Sequence, residues 1–203
     1  MKLRGLTISG GFFIMLALMV LFDQSSTLPL LLLAMLLHEL GHLGALLFLG
    51  QRPHRFHLGF LGLRIDYGAN KLGYLKEALI ALAGPGVNLL LAYGFAFFGG
   101  KMQWEYGFFF SGMNLGIALF NLLPIFPLDG GRGLYCFLAW IKNAQWAEGV
   151  GQRVSFLFIC LLFSLGLWIF ILSRWNFSLL AISIWLCMFN QKRQRREQRP
   201  LHL

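Results

Sequence analysis

Long apolar stretches dominate this chain and leave it few ways to fold. Crossing the hydrocarbon core of a bilayer takes about 20 largely apolar residues in helical form. Stretches of that kind recur at 6–22, 28–50, 76–99, 104–123, 152–172 and 176–190. The last is short and is expected to run on into the basic tail, and the apolar, helix-like stretch 129–145 is expected to continue the fourth span. Hydrophobic residues make up 58% of the chain and charged residues 12%, against about 25% charged in a soluble domain. A chain this apolar cannot hide its surface from water, whereas lipid accepts it provided helices satisfy the backbone internally. The predicted fold class is an all-α polytopic membrane protein with about six transmembrane helices. Lys2 and Arg4 precede the first apolar stretch as in a signal peptide, but its core is long and no small-residue cleavage site follows. It is read as an uncleaved span.

The net charge of +9 is distributed as a topology signal rather than as a nucleic-acid surface. With the N-terminus inside, the inner segments carry Lys2 and Arg4, then Arg52, Arg55, Arg64, Lys71 and Lys76, then Arg132, Lys142 and Arg153, and finally five basic residues from Lys192 to Arg199. Only Lys101 and Arg174 fall outside. This asymmetry predicts a multi-pass protein of a bacterial inner or plasma membrane with both termini cytoplasmic. The lipid bilayer is then one partner and nucleic acid is not. Between the second and third spans, alternating apolar residues from Arg55 to Tyr67, with Gly59 and Gly62 in the middle, predict a short β-hairpin. Cys136, Cys160 and Cys187 are dispersed in apolar surroundings and read as packing residues. The chain is expected to form one membrane domain over 1–203, with a basic cytoplasmic tail at 191–203.

The second span contains His38-Glu39-Leu40-Gly41-His42, an HExxH pattern. Residues four apart share a helix face, so both imidazoles can reach one ion, while Glu39 can take a proton from water at that ion. Charged side chains near the middle of a membrane helix cost about 2.5–3.5 kcal/mol each on insertion scales. Three ionisable groups within five positions therefore call for a compensating partner, and a bound cation supplies one. If the span enters from outside, His42 lies about 21 Å along it, in the inner half of a core about 30 Å thick.

Two histidines leave a catalytic zinc site one protein ligand short. Asp129 follows an apolar run broken by Pro124 and Pro127 and precedes Gly130-Gly131. Prolines end helix, adjacent glycines admit close backbone approach, and irregular backbone at membrane depth is tolerated only beside protein or a wet cavity. The segment reads as the wall of an active site with a carboxylate directed inward; a plain helix-ending turn with a capping Asp is the alternative. Gly84-Pro85-Gly86 with Asn88, in the third span, is either a kink for close helix packing or a second element lining the cleft.

HELGH in an early span, NLLPIFPLDGG (Asn121 to Gly131) in a later one and AGPGVN (Ala83 to Asn88) between them resemble the site-2 protease family of intramembrane zinc metalloproteases. The likeness extends over nearly the whole chain and is greatest to the type represented by stage IV sporulation protein FB. The resemblance implies one Zn²⁺ per chain held by His38, His42 and Asp129, with Glu39 as catalytic acid and base. It also implies that Asn121 faces the cleft as a substrate contact, and Asn88 is carried over in the same role. This chain ends soon after its last span, whereas that type continues into a nucleotide-sensing domain; regulation by nucleotide is therefore not implied. The implied reaction is hydrolysis of a peptide bond in or near the transmembrane segment of a membrane-protein substrate, releasing a regulatory protein. A non-proteolytic membrane metal-binding protein or a metal transporter is the alternative. A transporter would be expected to spread its acidic and histidine ligands along several spans, and here they concentrate at one point.

Overall fold

The structure, a computed structural model, describes residues 2–3, 6–8, 27–51, 55–59, 62–66, 73–173 and 177–197. Six helices are present among these: α1 (Leu28–Phe48), α2 (Tyr74–Met102), α3 (Glu105–Asn121), α4 (Asp129–Ile141), α5 (Ala144–Leu172) and α6 (Ser178–Glu197). There are also four short strands, β1 (Lys2–Leu3), β2 (Leu6–Ile8), β3 (Arg55–Gly59) and β4 (Gly62–Asp66). Helices α1, α2 and α5 are long and apolar enough to cross a membrane. Helix α3 has 17 residues, at the short end of what a bilayer requires. Helix α6 runs into the basic tail, to Glu197.

The chain divides into two compact units, Met1–Leu72 with Ala83–Leu119, and Gly73–Leu82 with Phe120–Leu203. The first unit contains a four-stranded sheet in the order β1-β2-β3-β4. Strand β2 lies parallel to β3, pairing Leu6 with Phe56 and Ile8 with Leu58, and β3 lies antiparallel to β4, pairing Arg55 with Asp66. This corrects the expected first span at its start. Leu6–Ile8 is strand rather than helix because its backbone groups find partners in the segment that follows α1; positions 9–22 of that span lie outside the described residues. Helix α1 ends at Gly50, whose φ of +75° is natural only for glycine. There the amide of Gly50 donates to Leu47 O at 2.9 Å and that of Gln51 to Leu46 O at 3.1 Å, the bond pair of a Schellman stop. A Cβ at Gly41 would stand 2.9 Å from Ala83 O, so glycine is what lets α1 approach α2 backbone to backbone. Ser111 adds a bond across α3 and α2, donating to Ala92 O at 2.6 Å.

In the second unit, α5 packs against α4 and α6. Its buried residues are Ala147, Gly151, Ser155, Ile159 and Gly166, a stripe at helical spacing composed mainly of small side chains. Between apolar helices in lipid, such stripes permit the close van der Waals contact that drives association. The opposite face exposes Phe156, Leu157, Leu161 and Trp168, a surface suited to acyl chains. Asn143 caps the helix, accepting from the Trp146 amide at 2.8 Å. The stretch 129–145 is separated from α3 by the irregular segment 122–128, so it forms its own helix α4 instead of extending the fourth span. The three cysteines are free, with Cys136 buried, Cys187 half-buried and Cys160 exposed.

Candidate metal centre

Helix α1 presents His38 and His42 one turn apart, and their Nε2 atoms face each other at 3.2 Å. Two bare nitrogen lone pairs at that separation repel unless a proton or a cation lies between them. Ligands about 2.0–2.1 Å from a tetrahedral zinc ion stand about 3.3–3.4 Å apart, so the bite of this pair fits zinc closely. His38 is buried and His42 half-buried. Glu39 is also half-buried; at 100° per residue it lies about 60° around the helix from His42 and about 100° from His38.

The room for two imidazoles comes from Gly84 on α2. A Cβ there would collide with the His42 ring and come within 2.9 Å of His38 Nε2. One turn further along α2, Asn88 is fully buried. Its Oδ1 lies 2.6 Å from His38 Nδ1, and its Nδ2 donates to Ala34 O at 3.3 Å and to Asn114 Oδ1 at 2.7 Å. Asn114, on α3, is fully buried too and donates from Nδ2 to Phe110 O at 2.8 Å. Asn88 was expected at the cleft; the structure sets its carboxamide against the far nitrogen of His38. Asn114 was missed in the sequence. The signal that could have found it is a carboxamide within the apolar stretch 104–123, where a polar group needs a partner.

Asp129 opens α4. The helix cap position is held by Leu128, which makes no side-chain capping bond, so Asp129 is not the capping residue of the alternative reading. The turn before it is irregular and includes a cis Phe126–Pro127 bond. Its backbone is held by Ser155 of α5, fully buried, which donates to Pro124 O at 3.1 Å and accepts from the Phe126 amide at 3.4 Å. Ile125 and Leu128 pack with Ile159 and Leu186 in a buried apolar cluster beneath the turn. Gly130 and Gly131 make the approach possible. A Cβ on Gly130 would strike the backbone of Leu122, and one on Gly131 would lie 2.6 Å from Ile125 O. Backbone cannot move aside as a side chain can, so the double glycine is what seats Asp129 at this point. Asn121, half-buried, is the last residue of α3.

His38, His42 and Asp129 form a group that could hold a metal ion, each offering one ligand atom and these atoms all lying within 4.8 Å of one another. Two neutral imidazoles and one carboxylate are a donor set zinc accepts, leaving a fourth position open.

Residues 101–165 match the family Peptidase family M50. The chain is similar to stage IV sporulation protein FB of Bacillus subtilis, 31% identical over 187 residues, covering 90% of this chain and 64% of that protein. The whole chain also superposes on a solved structure, the site-2 protease from Methanocaldococcus jannaschii, with a TM-score of 0.65, covering 95% of that chain at 22% identity. In sequence and fold the chain is similar to these membrane proteases. The chain also resembles a Synechocystis protein provisionally named a zinc metalloprotease, 31% identical over 145 residues, or 66% of this chain and 38% of that one. It thus spans a little under two thirds of the length of the sporulation protein and less of the second. The M50 match takes in α3, α4 and the Asp129 turn.

Proposed function

We propose that the protein is an intramembrane zinc metalloprotease that hydrolyses a peptide bond in or near the transmembrane segment of a membrane-protein substrate, releasing a regulatory protein. One observation carries the reading: two histidines of an HExxH helix with Nε2 atoms 3.2 Å apart, grouped with a single carboxylate. In this reading His38, His42 and Asp129 hold one zinc ion per chain. When bound, zinc polarises a peptide carbonyl and lowers the pKa of water to about 7.

The chain's own residues do the remaining work. Glu39 accepts the proton of the attacking water and returns it to the leaving amine. Asn121, at the end of α3, orients the substrate. The segment to be cut must be extended, since a helix hides its carbonyls in hydrogen bonds; strand β4, at the end of the sheet, offers an edge to which such a segment can add. Residues 1–203 act as one membrane-embedded domain with its basic tail, 191–203, in the cytoplasm. A metal transporter needs ligands along a path, whereas among the described residues the metal-capable donors gather at this one point.

The purified protein is expected to hold about one zinc per chain, and Asp129→Asn to hold it much more weakly, because the remaining histidine pair cannot supply three protein ligands. Chelation should stop cleavage of a co-reconstituted single-span substrate, and added zinc should restore it. Zinc moving across the membrane without cleavage would replace the protease reading with transport. The charge asymmetry predicts that reporter fusions after Gly68 and Met188 read cytoplasmic and one after Met102 reads external. An external reading at Gly68 would reverse the orientation and, with it, the side of cleavage.

A further inference from the structure

We infer that Asn88 and Asn114 form a relay that fixes the tautomer of the His38 ring and so prepares its Nε2 as a metal ligand; the inference rests on the zinc-site reading above. It begins at a backbone carbonyl, which can only accept. Phe110 O accepts from Asn114 Nδ2 at 2.8 Å, so the other end of that carboxamide, Oδ1, must face Asn88. Asn114 Oδ1 then accepts from Asn88 Nδ2 at 2.7 Å, and Ala34 O accepts from the same nitrogen at 3.3 Å. Both protons of Asn88 Nδ2 are used, so the atom left for His38 is an acceptor, Oδ1, at 2.6 Å from Nδ1. His38 must therefore carry its proton on Nδ1. Its Nε2 lone pair is left to face the Nε2 of His42.

The direction of every bond follows from the two carbonyls, and neither asparagine can turn over without leaving buried polar atoms unpaired. Both side chains are fully buried, where an unpaired carboxamide is costly. A metal-binding histidine commonly donates its second N–H to a carboxylate or carbonyl, which fixes the tautomer and raises ligand basicity. Here a neutral carboxamide takes that place, anchored by a second one on another helix. Asn88 thereby becomes a positioning residue instead of a substrate contact, and Asn114 acquires a role.

Zinc titration of the purified full chain tests this. Asn88→Leu keeps the volume and removes the acceptor, and zinc affinity should fall by about 10–100-fold. Asn88→Asp retains the acceptor for His38 Nδ1–H but no longer donates to Ala34 O or Asn114 Oδ1, so it should lose clearly less zinc affinity than Asn88→Leu. In apo protein with ¹⁵N-labelled histidine, the parent should show His38 protonated at Nδ1, and Asn88→Leu a mixture of tautomers. Equal zinc affinity in Asn88→Leu and the parent, or an equal loss in Asn88→Asp and Asn88→Leu, would overturn the relay. Should Asn88→Leu fail to fold, Asn114→Leu takes its place. It leaves the acceptor present but unanchored and should weaken zinc several-fold; unchanged affinity there also overturns the relay. A parent that binds no zinc would instead refute the zinc-site reading itself.

Discussion

Replacing Glu39 by glutamine is expected to lower cleavage by about 10²–10⁴-fold while zinc binding and folding persist. The substitution keeps size and hydrogen-bonding shape and removes only the proton acceptor. His38, His42 and Asp129, the residues grouped for the ion, are untouched. Because the same carboxylate readies the water and later protonates the leaving amine, the loss should fall in the upper part of that range. Substrate should still enter, so its complex with Glu39→Gln should be easier to isolate than with the parent. Co-expression with candidate single-span membrane proteins, comparing the two by product yield and the variant's zinc content by metal analysis, reads both effects together. Cleavage at the parental rate by Glu39→Gln would rule out the proposed chemistry; a binding protein or transporter has no reason to depend on this proton acceptor.

The second large effect is expected at a glycine. Gly84→Ala places a methyl group against the His42 ring, 2.6 Å from its Cε1, and 2.9 Å from His38 Nε2. Rings could escape such a contact if they were free to swing. His38 is not, because Asn88 holds its Nδ1 at 2.6 Å. Either His42 turns away and the 3.2 Å nitrogen pair is lost, or α2 moves back and takes Asn88 with it. Both outcomes dismantle the ligand pair, and zinc affinity should fall by about 100-fold, the upper end for disturbed support of a ligand. Gly86→Ala is the control. It lies two residues further along the same helix, where a Cβ meets nothing within 4 Å, and alanine is the better helix former. Zinc affinity should be unchanged there. Equal affinities in the two variants would mean that the space at Gly84 does not shape the site.

Much of the centre was legible before any coordinates because its chemistry is local. HExxH sits on one helix, so spacing alone puts His38 and His42 on a common face. The prolines and glycines around Asp129 announce irregular backbone with equal directness, since each limits φ or removes a Cβ. The β2 strand was not legible. Leu6–Ile8 belongs to an apolar run that suits a helix or a buried strand equally well, and its partners, Phe56 to Leu58, lie about fifty residues away. Nor did sequence predict that Ser155 would hold the Pro124–Phe126 backbone, because a serine within an apolar helix carries no sign of its target.

The sequence by itself determined the solvent, the helical class and the chemical identity of the candidate metal-binding side chains, all of which follow from composition and from neighbours within one helical turn. Only the tertiary structure decided which atoms of those side chains are prepared. His38 Nδ1 is held by a residue 50 positions away, and that residue by another 26 positions further. Each link depends on helices packing at particular glycines and on carbonyls that can only accept. A side chain's type is written in the chain, but the placement of its proton depends on what surrounds it after folding.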